Sequence, residues 1–267
     1  MSYRIAVEGQ GLCLNFNLLS LHIKGDPLIL FNIWDAGSAK ALQEIGAKVI
    51  GTGSWSVAAA HGYDDGEKLP FDLALANLQR IIASVDLPVT IDVEGGYGHS
   101  PAQAQETVAQ VIAAGAVGIN IEDQIIGGEE LYSIEDQCAR LKAVREAAAH
   151  TAFPIFINAR TDIFLKSAPA HHNESHLEEA TRRTSAYAES GASGFFAPGL
   201  RNAKHIEKLC ELSPIPVNIM VSPDAPSLKQ LANLGVARIS YGPHPYRQMM
   251  DALKEAGRKA LSISEVL

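Results

Sequence analysis

Cysteine is scarce: three occur in 267 residues, Cys13, Cys138 and Cys210, far apart and odd in number. No CxxC pair and no Cys/His ligand spacing is present, which leaves neither a disulfide framework nor a zinc site. A reducing cytoplasm is the simplest setting for such a chain. Long apolar runs are missing too. The most apolar stretches are strand-length and broken by Gly, Pro or charge, so none reads as a membrane span. The start, MSYRIAVEGQ, lacks the apolar run behind a basic head that marks a signal peptide. Positive charge is in deficit, with 22 Lys and Arg against 30 Asp and Glu and a formal net charge of −8. That balance argues against a general nucleic-acid-binding surface. It still admits a small anionic substrate held by backbone amides, an Arg or a metal. No low-complexity segment occurs, and no GxGxxG sits at the first strand–helix turn, which counts against a dinucleotide fold.

What is present is a rhythm. The hydrophobic fraction is 47%, enough for a large core. After a lead-in with a short helical pattern over 12–23, strand-like runs fall at 28–34, 48–53, 88–93, 117–123, 153–161, 193–199, 215–221 and 236–242. Helical patterns separate them, at 38–44, 71–85, 101–114, 133–149, 177–190, 202–212 and 227–234, and a last one covers about 246–261. Ser100 before Pro101 and Gly115 after Ala114 read as a start and a stop signal. Alternating β and α implies a parallel sheet, and eight units imply closure into a (β/α)8 TIM-type barrel, one domain over 1–267. Two polar or Gly-rich loops, 124–132 and 165–176, are candidates for mobile segments, and the cysteines on predicted helices read as core.

The centre of the chain is PVTIDVEGGYG, 88–98. Positions i and i+2 of a strand share a face, so Asp92 and Glu94 can aim at one spot. They read either as a strand-end turn residue beside a solvated acid, or as oxygen ligands for a hard cation such as Mg²⁺. Gly95, Gly96 and Gly98 permit a turn that lets backbone approach a ligand. In barrels of this type chemistry collects at the C-terminal ends of the strands. Those ends carry Asn32, the Gly53-Ser54-Trp55 turn followed by Asp65, then Asp92 and Glu94, Asn120 and Glu122, Asn158 and Arg160, Ala197-Pro198, Asn218, and Ser240-Tyr241. Clustered carboxylates repel one another unless a cation sits among them. Arg160 has the fork geometry for a carboxylate or phosphate, or for a salt bridge to Glu122 or Asp162. The Gly53-Ser54 turn either presents amides to an anion or is simply a tight turn.

These pieces resemble the isocitrate lyase/phosphoenolpyruvate mutase superfamily from Leu28 to about Leu261: NIWDAGSA (32–39), GTGSWSVAAAHGYDDGE (51–67), DVEGGYG (92–98), GINIED (118–123), INARTD (157–162) and FFAPGL (195–200). The resemblance implies an α/β barrel, dependence on Mg²⁺ (with Mn²⁺ as a substitute) and small 2-oxo acid substrates. It implies Asp92 as a direct metal ligand, with Glu94 and Glu122 holding the metal mostly through waters. Asp65 corresponds to the acid after the second strand. Gly53, Ser54 and Trp55 correspond to the turn whose amides bind the substrate carboxylate, Arg160 to the substrate arginine, and Asn218 completes the expected substrate contacts. It further implies a homotetramer, with the last helix exchanged between subunits.

The departures bear on the reaction. The lyases of the superfamily carry a Lys-Cys-Gly-His stretch after the fourth-strand region; QIIGGEELYS (124–133) has neither Lys nor Cys. The mutase carries an Asn-Ser pair in that loop and a His at the sixth strand end; here stand Gly127-Gly128-Glu129-Glu130 and Ala197-Pro198. The central acids are Asp-x-Glu instead of Asp-x-Asp. The expectation is therefore a Mg²⁺-dependent enzyme acting on a small 2-oxo or 2-hydroxy (di)carboxylate through an enolate-like intermediate, by C–C cleavage or decarboxylation. Glu122, Asp65 and Arg160 are its candidate catalytic residues, with Glu129, Tyr63, Tyr241, His99 and His61 as further candidates for proton transfer. The alternatives are C–P mutase or hydrolase chemistry, and a metal-dependent 2-oxo acid binding protein without efficient turnover.

Overall fold

Short β-branched and apolar runs form eight strands of one parallel sheet in the computed structural model of the chain, which describes residues 17–149 and 155–262. In chain order the elements are β1 (Leu28–Leu30), α1 (Ala36–Glu44), β2 (Ile50–Gly51), α2 (Ser54–Ala60), α3 (Phe71–Ser84), β3 (Val89–Asp92), α4 (Pro101–Ala113) and β4 (Gly118–Glu122). There follow α5 (Ile134–Ala147), β5 (Phe156–Arg160), α6 (Glu174–Glu189), β6 (Gly194–Phe196), α7 (Ala203–Leu212), β7 (Val217–Met220), α8 (Leu228–Asn233), β8 (Arg238–Ser240) and α9 (His244–Ser262).

Sequential strands pair in parallel from β2 round to β8, and β8 pairs with β1, Leu28 to Leu30 lying against Arg238 to Ser240. No ladder joins β1 to β2. A bridge between Ile33 and Thr52 closes the seam, with Ile33 N donating to Gly51 O at 2.9 Å and Gly53 N donating to Ile33 O at 3.1 Å. The barrel is thus nearly closed, as the β/α alternation implies. The helices pack apolar faces on it: Leu78 and Ile81 of α3, Val108 and Val111 of α4, Leu141 and Val144 of α5 are fully buried. Cys138 is half-buried on α5 and Cys210 is buried on α7; Cys13 lies outside the described residues.

Caps set the helix boundaries. Ser100 and Gln103 form a reciprocal capping box before Pro101. α6 begins three residues earlier than its apolar spacing suggests, because Asn173 accepts from Ser175 N at 3.1 Å. One helix is additional to the expected set: Ser54–Ala60, where a substrate turn was expected, is α2, with Gly53 at its N-cap. The 124–132 loop is a small hairpin, Gln124 bridging to Leu131 and Ile125 N donating to Glu130 O at 3.0 Å.

Of the lead-in helix expected over 12–23, residues 12–16 lie outside the described residues. The remainder is a 3-10 turn at Leu18–Leu21, capped by Asn17. It plugs the N-terminal mouth of the barrel. Leu18 packs with Leu28, Leu30, Val49, Val117 and Phe156, and the His22 ring stacks on Phe156 at 4.1 Å. Gly118 makes room for the plug: a Cβ there would lie 2.9 Å from both Leu18 Cδ2 and Thr90 Oγ1.

At the other end of the chain, Tyr246 in the first turn of α9 packs edge-on against Trp34 and Trp55, at 5.1 and 6.0 Å. Beyond that turn the helix leaves the barrel, with Met249 and Leu253 more than half exposed. The outer face of β1 is correspondingly bare. Ile29 and Phe31 border an apolar groove of about 460 Å³ that also takes in Ile23 and Ile45. No helix among the described residues is long and apolar enough to cross a membrane.

Candidate active site

The C-terminal strand ends enclose a cavity of about 190 Å³, lined by polar groups from β3, β4, β5 and β8 and by Trp55, Leu165, Phe196, Pro198 and Met220. Two carboxylates face it, Asp65 and Asp92, together with Arg160 and Arg238.

Asp92 ends β3 and is held by neutral donors. Its Oδ2 accepts from Ser54 Oγ at 2.9 Å, and its Oδ1 accepts from Asn120 Nδ2 at 2.9 Å and from Glu94 N at 3.2 Å. Behind Asn120 stands Asn158, whose Nδ2 donates to Asn120 Oδ1 at 3.0 Å. The in-register pairs Asp92–Asn120 and Asn120–Asn158 put this amide relay on one interior layer of the barrel. Asp65 arrives on the loop after α2. Asp65 is exposed at the rim of the cavity; partial desolvation there, and then the negative charge of Asp92, push its carboxyl above the usual range.

Glu94 is not part of this cavity's lining, although it borders a small recess with Asp92 and Ser54 beside it. Its φ is +51°, so the strand alternation stops at β3 and its side chain turns away. Its Oε2 accepts from Gly66 N at 2.8 Å and Glu67 N at 2.7 Å. Glu67 returns the arrangement, its Oε1 accepting from Tyr97 N at 2.7 Å. Glu67, Glu94 and Tyr97 all have positive φ, a strained cluster stitched together by carboxylate–amide bonds. Burial, and then the charge of Asp65, push the Glu94 carboxyl up to about 8. The Gly-rich turn expected after β3 is present and is fixed from below by Arg140 of α5, which donates to the carbonyls of Gly95, Gly98 and His99.

Glu122, at the end of β4, is paired across the barrel wall with Arg160 of β5: Nη1 to Oε2 is 2.7 Å. The same guanidinium reaches Asp162 through Nε at 2.5 Å and Nη2 at 2.8 Å. Of the two alternatives for Arg160, the barrel-top salt bridges are present; the guanidinium also lines the cavity, with two of its five N–H groups left over. Burial alone would lower this guanidinium; Glu122 and Asp162 more than offset that. Burial raises Glu122, against the pull of Arg160.

The amides of the 53–55 segment divide. That of Gly53 is engaged in closing the β1–β2 seam, which removes it as an anion donor. Ser54 N leans on Asp92 Oδ2 at 3.4 Å. The Trp55 amide, in the first turn of α2, has no intrahelical acceptor. Asn218 of β7 lies in the barrel interior, its Oδ1 accepting from Ser240 Oγ at 3.1 Å, and its Nδ2 is without a partner. Among the further proton-transfer candidates, none lines the cavity. Glu129 is at the exposed tip of the 124–132 hairpin, Tyr63 is 39% exposed, and His99 contacts the Tyr132 hydroxyl at 3.0 Å. His61 ends α2 with Nδ1 on the Val57 carbonyl, and Tyr241 packs on Phe31.

Arg238 has no counterpart in the sequence reading. A lone Arg in the apolar run VARISYG carries little signal; only its two-residue spacing from Ser240, on the inward face, could have flagged it.

Among the described residues no group of three or more His, Cys, Asp or Glu is placed to hold a metal by itself. The cavity-facing donors are carboxylate oxygens, and the crowding of Asp65 against Asp92 is of the kind a cation relieves. That set suits a hard divalent ion that keeps several water ligands and takes only one or two carboxylates.

Comparison with known proteins agrees with this architecture. A crystal structure from Burkholderia cenocepacia J2315, provisionally named a phosphonomutase, superposes with a TM-score of 0.88 at 47% identity, covering 91% of this chain and 96% of that one. An uncharacterized Mycobacterium tuberculosis protein is 33% identical over 247 residues, 92% of this chain and 89% of its own. The oxaloacetate decarboxylase of Ectopseudomonas mendocina is 28% identical over 188 residues, 66% of this chain and 61% of its own. The family model described as phosphoenolpyruvate phosphomutase matches residues 18–261. The chain therefore belongs to the phosphoenolpyruvate phosphomutase family, within the isocitrate lyase/phosphoenolpyruvate mutase superfamily.

Proposed function

We propose that this protein is a Mg²⁺-dependent enzyme that acts on a small 2-oxo or 2-hydroxy (di)carboxylate by C–C bond cleavage or decarboxylation, through an enolate-like intermediate. The observation that carries the reading is the meeting of Asp65, Asp92 and Arg160 on one cavity at the C-terminal mouth of the barrel. Asp92 is the residue that holds the cation, with Glu94 and Glu122 outside it, and Mn²⁺ is the natural substitute. When bound, the cation supplies positive charge that polarises the 2-oxo group. The chain does the rest. The two remaining N–H groups of Arg160 and the Trp55 amide in the first turn of α2 orient the carboxylate. Asp65, on the rim of the cavity, where partial desolvation and the charge of Asp92 raise its proton affinity, is placed to move a proton. Trp55, Phe196 and Pro198 keep water from the reacting carbon.

A second reading is favoured by one specific observation, the 47% identity to the provisionally named phosphonomutase: C–P rearrangement or hydrolysis of a phosphonopyruvate-type substrate. A barrel that binds a 2-oxo acid without efficient turnover is the third. One experiment separates them, an NMR screen of 2-oxo acids, 2-hydroxy di- and tricarboxylates and phosphonopyruvate, with Mg²⁺ and with chelator. Mg²⁺-dependent consumption of a carboxylate supports the first reading. Consumption of phosphonopyruvate alone replaces it with the second, and binding without consumption leaves the third.

The assembly is proposed on separate grounds. α9 projects with Met249 and Leu253 exposed, while the outer face of β1 is uncovered at Ile29 and Phe31. Exchange of α9 between copies, in a tetramer, covers both. A cytoplasmic setting fits the free Cys138 and Cys210.

A further inference from the structure

Two arginines reach the cavity, and their surroundings differ. Arg160 is held between Glu122 and Asp162. Arg238 of β8 is only 4% exposed, yet it makes no ion pair among the described residues. Its Nε donates to Ser240 Oγ at 3.3 Å, and its Nη1 is buried with no acceptor at all. Asp92 is the acid whose charge reaches it, without an ion pair between the two among the described residues. Burial lowers the guanidinium to about 10, so it stays charged at neutral pH. On the neighbouring strand Asn218 stands in register with Arg238, and its Nδ2 donor is equally unsatisfied. A buried cation beside a buried amide, both short of acceptors, is costly to the fold unless something anionic completes it. The N-terminal mouth is plugged by the Leu18–Leu21 turn, so an anion reaches Arg238 through the cavity it lines. The cavity, about 190 Å³, has the volume of roughly six waters, room for a small acid.

We infer that Arg238 is a specificity-determining residue, which takes a second carboxylate of the substrate deep in the barrel while the first is held at the mouth by Arg160 and the start of α2. The inference rests on the 2-oxo or 2-hydroxy acid reading given above and adds to it a substrate class, dicarboxylates, and an orientation, distal acid inward. Monocarboxylates of the same head group fill the mouth and leave Arg238 unpaired.

The test uses lactate and malate, stable 2-hydroxy acids that differ by one carboxylate, and oxalate, whose two carboxylates are adjacent and span only the head-group site, as a probe of the mouth alone. Affinities are measured by calorimetry with Mg²⁺ at fixed ionic strength. The wild-type protein is expected to bind malate at least about tenfold more tightly than lactate, the scale of a charge-assisted bond. Arg238→Met, of similar volume and without the charge, is expected to keep the fold. It should bring the malate-to-lactate ratio near one and leave oxalate affinity within about twofold. Arg238→Lys, which keeps charge but not the fork, should fall between. A purely structural Arg238 would shift malate and lactate together. Equal wild-type affinities for malate and lactate, alongside normal oxalate binding, overturn this assignment alone and require no variant. An unchanged malate preference in Arg238→Met or Arg238→Lys overturns it too. Failure of the wild-type protein to bind oxalate overturns the parent reading, and this one with it.

Discussion

Ser54 Oγ donates to Asp92 Oδ2 at 2.9 Å, which ties the first residue of α2 to the last residue of β3. The bond helps to fix the direction of the carboxylate together with Asn120 and the Glu94 amide, and its loss leaves Oδ2 less firmly held. Asp92→Ala is expected to abolish Mg²⁺-dependent oxalate binding in calorimetry. Ser54→Ala should weaken it by about tenfold, the usual scale of a hydrogen bond to a charged group. Full oxalate affinity in Asp92→Ala would remove the metal assignment.

Arg160 serves two neighbours and the cavity at once, so its replacement should show in stability as well as in binding. Arg160→Met leaves Glu122 and Asp162 buried without their cation, and urea unfolding should report a loss of about 3–5 kcal/mol. Arg160→Lys keeps a charge but cannot bridge both acids. Its oxalate and pyruvate affinities should drop, and wild-type affinities would count against the substrate role.

Much of this molecule can be read from the sequence. The alternation of β-branched runs with capped helical patterns yields the barrel, because each apolar strand has to be covered by the helix that follows it. The strand-end list likewise picks out Asp65, Asp92 and Arg160, which line the cavity, and Glu122, which pairs with Arg160 beside it. Glu94 escapes the two-residue rule because its left-handed backbone takes it off the strand, a property of φ that composition does not encode. The α2 helix escapes because SWSVAAA is shorter than two turns and follows a glycine that reads equally well as a turn. Arg238 escapes because its meaning lies in what is missing around it, and only coordinates reveal an unpaired group.

His22 supplies a pH dependence. Burial, then Arg238, hold its imidazole down to about 3, against an ordinary 6.5. The folded state therefore keeps the ring neutral, and its contribution to stability is intact above pH 6.5 and is lost as pH falls from 6.5 towards 3. Between pH 7.5 and 5 the loss should be about 2 kcal/mol by urea unfolding. His22→Phe, which keeps a ring against Phe156, should lack that component; an identical loss in the variant would refute it.

Gly51 faces Leu30 so closely that a Cβ there would collide with the Leu30 side chain. Gly51→Ala should cost about 1–3 kcal/mol by overpacking, and Leu30→Ala about 2–5 kcal/mol by leaving a cavity. Each change repairs part of the other, so the double variant should lose clearly less than the sum. Simple additivity in a thermodynamic cycle would show that the two sites do not share space.

Exchange of α9 predicts that size-exclusion chromatography with light scattering finds a tetramer at neutral pH. Met249→Glu combined with Leu253→Glu, both on the exposed face of α9, should shift it to a smaller species. A monomeric wild-type protein would end that part of the proposal.

The turn at Leu18–Leu21, seated under Gly118 and Phe156, makes the barrel, among the described residues, a blind well with a single door. Traffic through one door is sequential. If the proposed cleavage is the reaction, the fragment nearer the mouth has to leave before the deeper one can pass, so release follows a compulsory order. The deeper fragment is then the last to go, and in initial-rate kinetics it is the product that competes with incoming substrate for the empty enzyme.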